Sequence, residues 1–542
     1  MARRRFSVIT PVYDPPAEVL RSTVRSVRDQ TFANWELCLV DDASTSSHVG
    51  EVLREVAASD PRILVERRTS NGGIAAASND ALAMASGELL VLLDHDDELH
   101  RDALRIVDEA VAAQPDADYV YSDEDKIDES GRHFGPFYKP GWSPERFRTQ
   151  MYTCHLSVLR AALVDEVGGF RLEYDGSQDW DLILRVTERA RRVVHIPRVL
   201  YHWRTVSTSV ASGGEVVKPF AYSAGTRTLQ DHCDRVGFPA RVEHSEEHPG
   251  VYELVPALDE HPRVSIVIPT GGALGDVGAE RICLVTRCVG SILAASTYPN
   301  YEIVVVADTT TPAGVLGELS DLVGQHLRVV PYDLPFNFSD KINTGVLAST
   351  GTHVLMLNDD TEVVTPSWLE RLVMYSNCPG IGAVGAKLLY GDGRLQHVGV
   401  TVSGSLPQHP YRGFAGDHGG YFNVVHVASD YSAVTGACLM TERCVFDEVG
   451  GLSTLLPHSF NDVDYCLKVG SIGQRVAYDP GTVLRHFESA SRAPEASEAE
   501  LQLLRDRWGS VMQTDPYESA NFHPGSRHQV PPIYHADGTV LI

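Results

Sequence analysis

A domain-sized internal repeat constrains this 542-residue chain more than any other feature. Phe6-Ser7-Val8-Ile9-Thr10-Pro11 returns as Val264-Ser265-Ile266-Val267-Ile268-Pro269, and Trp35-Glu36-Leu37-Cys38-Leu39-Val40-Asp41-Asp42 as Tyr301-Glu302-Ile303-Val304-Val305-Val306-Ala307-Asp308. The run from Ala85 to Asp94 returns from Ser349 to Asn358, and Gly168-Gly169-Phe170 returns as Gly450-Gly451-Leu452. Gln178-Asp179-Trp180-Asp181-Leu182 answers to Asn461-Asp462-Val463-Asp464-Tyr465, and His202-Trp203 is matched with His486-Phe487. Chance rarely keeps six such matches in one order, so the chain reads as one plan written twice. Its length is also more than a single core serves.

Each copy alternates short β-branched apolar runs (6–10, 36–40, 89–93) with helical patterns such as Glu18 to Arg28 and Ala75 to Ala85. Near-continuous apolar strands are those covered on both faces. The reading is therefore α/β, a Rossmann-like, mostly parallel sheet in each copy, with ligands at the carboxyl ends of the strands. The expected boundaries are a first domain at 1–240, a linker at 241–262 and a second domain with a C-terminal tail at 263–542. A helix near Lys218 to Val236 closes the first domain, and the Pro-, His- and Gly-rich tail after Asp515 reads as extended or partly disordered chain. The formal charge of −26 repels a phosphate backbone, so no nucleic-acid partner is expected. Arg3-Arg4-Arg5 reads as a solvated terminus. No stretch reaches the ~20 apolar residues of a membrane span, and no apolar signal core precedes the first strand. Nine cysteines without paired metal spacing suit buried thiols in a reducing cytoplasm.

Three groups of residues carry chemistry in both copies. Asp94-His95-Asp96-Asp97 and Asn358-Asp359-Asp360 end a buried strand, where carboxylates can hold a hard divalent cation against a diphosphate. Asp179 and Asp462 follow the Gly-Gly turns and are candidate general bases; Asp181 and Asp464 are read as helix starts or acceptor contacts. His202 and His486 sit behind these carboxylates, where a neutral imidazole would complete a metal shell. Asp123-Glu124-Asp125 has the acidic look but follows another segment, and is read as an acceptor-side or structural loop. Pro11, Tyr13, Asp41, Asp42, Asn71, Gly72 and Asp94, with Pro269, Asp308 and Asn358 in the second copy, lie where a nucleotide would lie.

With these residues assembled, both halves resemble glycosyltransferase family 2. The segments that carry the resemblance are Trp35 to Ser44, Leu92 to Leu99, Tyr121 to Lys126, Gly176 to Asp181 and Leu200 to Arg204. In the second half they are Leu357 to Glu362, Gly385 to Leu388, Gln396-His397-Val398-Gly399 and His486 to Arg492. The resemblance implies two tandem GT-A domains similar to the rhamnosyl- or galactosyl-type enzymes of O-antigen and surface-glycan assembly. It further implies UDP- or dTDP-sugar donors with magnesium or manganese. On that footing Asp41 and Asp42 would meet the base, Asp94 the ribose or sugar, Asp96 and Asp360 the metal. Asp179 and Asp462 would be bases, and His202 and His486 further metal ligands. Gln178 and Asn461 stand where the family has Glu, and Ala307 stands where the first copy has Asp41, which puts donor identity in question.

The expected function is a bifunctional inverting transferase that adds sugars to a glycan or lipid-linked glycan, cytoplasmic and compatible with a peripheral place at the membrane face. The alternative is one catalytic module beside a glycan-binding or scaffolding module. A nucleotidyltransferase or Rossmann dehydrogenase would want a basic or Gly-x-Gly-x-x-Gly loop after the first strand, which neither copy has.

Overall fold

The computed structural model describes residues 4–205, 219–277, 280–404, 406–487 and 497–522, with two further short strands, Ile533–Tyr534 and Val540–Leu541. The chain divides into two compact units, one made of residues 1–142 and 151–237, the other of 143–150 and 238–542. Lys218 and most of the tail after Asp515 fall outside the described residues.

In the first unit the strands are β1 (Phe6–Val12), β2 (Trp35–Asp41), β3 (Ile63–Arg67), β4 (Leu89–Leu92), β5 (Glu98–Leu99), β6 (Ala117–Ile127), β7 (His133–Phe137), β8 (Ser157–Arg160) and β9 (Arg192–Arg204). They form one mixed sheet in the order β3-β2-β1-β4-β8-β6-β9-β5, with β7 paired to β6. The first four are parallel, whereas β8 runs antiparallel to both β4 and β6. Every residue of β1 and β2 is buried, which is why these runs carry no polar alternation. The helices predicted beside them form over Ala17–Arg28 and Ile74–Met84, and Pro219–Val236 is helical as expected.

The second unit opens with the antiparallel hairpin β10 (Ala240–His244) and β11 (Tyr252–Pro256), formed by residues expected to be linker. Val242, Tyr252 and Leu254 are buried, so the charged residues that suggested a linker occupy only one face of an alternating ribbon. The main strands are β12 (Val264–Thr270), then the hairpin β13 (Leu274–Val277) and β14 (Glu280–Cys283), then β15 (Tyr301–Asp308) and β16 (Leu327–Tyr332). After these come β17 (His353–Leu357), β18 (Thr361–Val363), β19 (Ile381–Leu389), β20 (Leu395–His397), β21 (Ser429–Tyr431), β22 (Cys438–Glu442) and β23 (Arg475–His486). Their order, β16-β15-β12-β17-β22-β19-β23-β18, repeats the first sheet strand for strand. The segment 143–150 belongs to this unit. Its buried Glu145 pairs with Arg148 and, at 2.9 Å, with Arg475, while Ser143 Oγ donates to Asp430 at 2.7 Å.

One buried acid organises each sheet. Glu36 Oε1 accepts from Ser7 Oγ at 2.6 Å and from the Ser86 N–H at 2.6 Å, and Ser7 Oγ in turn accepts from the Gly87 N–H. Glu302 does the same with Ser265 Oγ, the Thr350 N–H and Gly351. A Cβ on Gly87 would lie 2.6 Å from the Ser7 nitrogen, and one on Gly351 2.5 Å from the Arg263 carbonyl oxygen, so both positions need glycine for close approach. These bonds hold the Glu302 carboxyl at about 2 despite its burial.

The nine cysteines are all free. Five are buried, and burial pushes the Cys38 and Cys288 thiols up to about 12. Arg5 is not a solvated terminus, since it pairs with Glu88 and Asp108, both at 2.7 Å. Among the described residues no helix is long and apolar enough to cross a membrane.

Replacing Glu36 or Glu302 with Ala takes the acceptor away from the buried hydroxyl of Ser7 or Ser265 and from the N–H and exposed hydroxyl of Ser86 or Thr350. Each change should lower stability by roughly 2–4 kcal/mol in urea denaturation. For Glu302 the folded value lies below the unfolded one, so its contribution is complete above about pH 4.5 and is lost as pH falls towards about 2. Glu302→Gln should therefore flatten the acid limb of the stability curve in that window.

Candidate active sites

In the first unit β1 and β4 end at one edge, together with the N-termini of the helices Ile74–Met84 and Gln178–Thr187. Between them lies a cleft of about 500 Å³ lined by Pro11, Asp94, His155, Phe170, Gln178 and Asp179 among others. Asp179 Oδ1 accepts its neighbour Trp180's N–H at 2.8 Å, which turns the carboxylate over the helix N-terminus, where negative charge is favoured. Burial, with Asp96 and Asp179 nearby, pushes the Asp94 carboxyl above its ordinary range, and His155 opposes this. Asp97 is pushed further, by burial and by Asp94, although it accepts from Tyr201 Oη at 2.6 Å and the Arg204 N–H at 2.8 Å. Donor atoms of Asp94, Asp97 and His155 lie within 4.8 Å of one another.

His155 gave no signal in the sequence because the repeat does not carry it. The ladder β4–β8 sets Leu92 opposite Ser157 and the ladder β17–β22 sets its counterpart Met356 opposite Leu439, which puts Ala437 in the place of His155. The ring stacks on Tyr201 with centroids 4.5 Å apart. Its backbone is gripped from both sides. The His155 N–H donates to Glu124 Oε2 at 3.0 Å, and the fully buried Lys139 donates to the His155 carbonyl and to Glu124. The Asp123-Glu124-Asp125 run is thus structural in its first two members, Asp123 accepting from the Lys139 N–H and meeting His195 Nε2 at 2.8 Å.

His202 is placed elsewhere. Its Nδ1 meets Asp125 Oδ1 at 2.6 Å, and Asp125 Oδ2 meets His133 Nδ1 at 3.1 Å. The matching of His202-Trp203 with His486-Phe487 is one residue off. Glu98 pairs with His202, whereas its counterpart Glu362 pairs with Arg485, so Trp203 is the residue that answers to His486. In a strand a one-residue shift turns the side chain to the opposite face.

Several residues expected to meet a nucleotide are engaged within the protein. Asp41 Oδ1 accepts the Ser44 N–H at 2.8 Å, with Arg67 3.3 Å from its other oxygen. Asp42 accepts the N–H groups of Gly72 and Gly73, both at 2.9 Å, and pairs with Arg68 at 3.1 Å, while Asn71 Nδ2 donates to the Asp42 carbonyl. These bonds fold the 71–73 turn onto the end of β2. Gly73 has φ +87°, and a Cβ there would lie 2.2 Å from Asp175 Oδ2. Tyr13 remains about half exposed.

In the second unit the corresponding cleft, of about 810 Å³, is lined by Pro269, Thr270, Asp308, Phe336, Lys341, Asn358, Asp359 and Asp360 among others. Lys341 is buried and donates to Asp308 Oδ1 at 2.8 Å and to the Thr270 carbonyl at 2.9 Å. Asn79 clasps the Phe170 backbone as Asn343 clasps that of Leu452. Counting back from these two asparagines puts Lys341 where the first copy has Ala77, so the repeat hid it as it hid His155. Burial and Asp360 push the Asp359 carboxyl up to about 6, while its Oδ2 accepts from Thr270 Oγ1 at 2.6 Å. Burial works against ionisation of Asp360, but His486, 3.0 Å away, holds it below the ordinary carboxylate range. His486 also lies 3.3 Å from Asn358 Nδ2. Asp462 Oδ1 accepts the Val463 N–H and Oδ2 the Gly436 N–H, both at 2.9 Å, and the next residue, Ala437, accepts from the Asn358 N–H. Asp181 and Asp464 are buried in ion pairs, the first with Arg171 and Arg185, the second with Arg507. Asp179, by contrast, lines the first cleft.

Lys139→Met should leave Glu124 buried without its cation and release the His155 carbonyl. The expected loss is roughly 3–5 kcal/mol of stability in urea denaturation.

The profile of the family described as glycosyl transferase family 2 matches residues 7–168, and that of glycosyltransferase like family 2 matches residues 262–510. Protein y4gI of Sinorhizobium fredii is 40% identical over 95% of this chain and 57% of its own length. The O-antigen biosynthesis protein RfbC of Myxococcus xanthus is 36% identical over 91% of this chain and 38% of its own. The chain therefore spans little more than half of the first relative and less than two fifths of the second. Among solved structures, S. aureus TarS 1–349 in complex with UDP overlaps 42% of this chain and 65% of its own at 22% identity, with a TM-score of 0.34, too slight a likeness to bear on the sites. With one match falling in each copy of the repeat, the chain belongs to glycosyltransferase family 2 and carries two of its domains in tandem.

Proposed function

We propose that each unit is an inverting glycosyltransferase, and that the chain joins two sugars, or one sugar in two linkages, from UDP- or dTDP-sugar donors onto a glycan or lipid-linked glycan. The observation that carries this reading is the placing of Asp94 and Asp179 across one cleft, at the edge where ligands bind open α/β sheets. The likeness to an O-antigen biosynthesis protein supports a surface polysaccharide as product.

In this reading the carboxylate of Asp179, or of Asp462, accepts the proton of an acceptor hydroxyl as its oxygen bonds to the anomeric carbon. The bond from that carbon to the nucleoside diphosphate breaks on the opposite face, so one displacement inverts the centre. The donor sets fit a hard divalent cation, Mn2+ or Mg2+, being carboxylate oxygens with one imidazole. Asp94 and Asp96 with His155 would hold it in the first unit, and Asp360 with His486 in the second. Asp360 Oδ1 is buried and makes no well-formed hydrogen bond, as a metal ligand's oxygen would be left. When bound, the ion supplies positive charge to the leaving diphosphate. Asp308, neutralised by Lys341, faces the second cleft where the first has the paired Asp41 and Asp42, which supports a different donor there.

One observation favours the alternative of a catalytic unit beside a glycan-binding one. Both oxygens of Asp462 already accept backbone N–H groups, whereas Asp179 has one such bond. A carboxylate held by both oxygens has less freedom to turn towards an acceptor hydroxyl.

Full-length protein given a panel of UDP- and dTDP-sugars with glycan primers should release nucleoside diphosphate with Mn2+ or Mg2+ and not with EDTA. Asp96→Ala and Asp360→Ala should each weaken metal-dependent donor binding in titration calorimetry. Asp179→Asn and Asp462→Asn should each remove one linkage from the product, by roughly 10²–10⁴-fold, and leave the other. Loss of all turnover in Asp179→Asn, with none in Asp462→Asn, would establish the single-catalyst alternative instead.

A further inference from the structure

The two nitrogens of an imidazole are distinct, and the partner of one decides what the other can offer. His486 ends β23 with Nε2 3.0 Å from Asp360 Oδ1 and Nδ1 2.7 Å from Gln396 Oε1. Gln396 is the middle residue of β20, buried, and pinned by the pairing of Leu395 and His397 to the end of β19. Strand alternation sends its neighbour His397 the other way, where His397 Nε2 accepts the Thr435 N–H at 3.3 Å and Nδ1 meets His409 Nδ1 at 3.0 Å. Gln396 is therefore the β20 side chain that reaches His486.

We propose that Gln396 is a positioning residue of the second unit, its Oε1 accepting the Nδ1–H of His486 and so presenting Nε2 to Asp360. The inference rests on the metal reading of this site. A carboxamide offers either an acceptor or a donor. With Oε1 towards the ring, the proton sits on Nδ1 and the Nε2 lone pair faces Asp360 Oδ1. Two acceptors 3.0 Å apart suit a cation, and His486 with Asp360 would hold a divalent ion through them. With the amide reversed, Nε2 would carry its hydrogen permanently to Asp360 and the ligand position would be closed. The device belongs to the second unit alone, because Trp203 takes the place of His486 in the first, where the histidine is instead fixed through its backbone by Glu124 and Lys139.

The test uses the full chain carrying Asp94→Ala and Asp96→Ala, so that Mn2+ reports on the second site, and needs no sugar donor. Mn2+ binding is followed by the electron paramagnetic resonance of the free ion in four proteins: the parent, Gln396→Met, Gln396→Glu and His486→Gln. Gln396→Met keeps the volume and should weaken binding by roughly 10–100-fold. Gln396→Glu restores an acceptor and should bind within about threefold of the parent, a rescue that a packing role would not give. Side-chain 15N shifts in histidine-labelled, metal-free protein should place a proton on Nδ1 of His486 in the parent, and Gln396→Met should shift that resonance. Unchanged Mn2+ affinity in Gln396→Met, or an Nδ1 without its proton in the parent, overturns the positioning role while leaving the metal site standing. Unchanged affinity in His486→Gln shows instead that the metal reading of this site is wrong, and the inference falls with it.

Discussion

The buried carboxylate of Glu36, and its twin Glu302, is the contact on which both halves depend. It joins β1, β2 and the turn before β4 through side-chain and backbone bonds at the amino ends of these strands. A charge this deep is tolerated because hydroxyl and N–H donors surround it. Fixing three parallel strands at one end sets their register, and a set register delivers their other ends to a common edge. Pro11, Asp41 and Asp94 arrive together for that reason, as do Pro269, Asp308 and Asn358. The chemistry at one rim is thus positioned by a polar knot at the other.

Beyond that shared frame the copies diverge where a ligand would sit. Each brings a histidine from elsewhere in the chain to its acid cluster, but from a different segment. In the first unit His155 precedes β8 and is held by its backbone. In the second His486 ends β23 and is held by its ring, through Gln396. Lys341 neutralises a carboxylate on the second cleft at the position where the first has Ala77. Duplication conserved the scaffold's hydrogen bonds more closely than the identity of the groups facing the cleft, as expected when strand-end residues are free to change without disturbing the core.

The fold was legible because parallel strands buried on both faces leave an apolar signature that recurs intact, and the repeat doubled every such signal. The place of Asp179 at the first cleft was legible for a local reason, a Gly-Gly turn followed by an acid at a helix start. What failed to show was whatever the repeat did not carry. His155 and Lys341 have Ala437 and Ala77 as counterparts, so comparing the halves hid them. The linker reading of 241–262 failed because a two-stranded ribbon with one charged face resembles a polar connector in composition. The matching of His202 with His486 misled for a subtler reason: a His-aromatic pair occurs near the end of both last strands, but displaced by one residue, and only the ladder fixes which face each presents.

Acid-rich motifs at a strand end overstate their chemistry for a reason of their own. Of the carboxylates the sequence brought forward in the first unit, Asp42, Asp97 and Asp181 are occupied by N–H, hydroxyl or guanidinium groups of the protein itself, and Asp41 is so occupied through one oxygen. Asp123 and Glu124 are likewise spent on Lys139 and His195. A carboxylate with its oxygens so engaged holds the backbone in shape and has little left to give a cation or a proton. Asp94 and Asp179 face the cleft, and they do so because their occupied neighbours fold the surrounding turns. The structural acids and the chemical ones are interleaved in sequence, and it is the hydrogen bonding of each oxygen, invisible to spacing, that separates them.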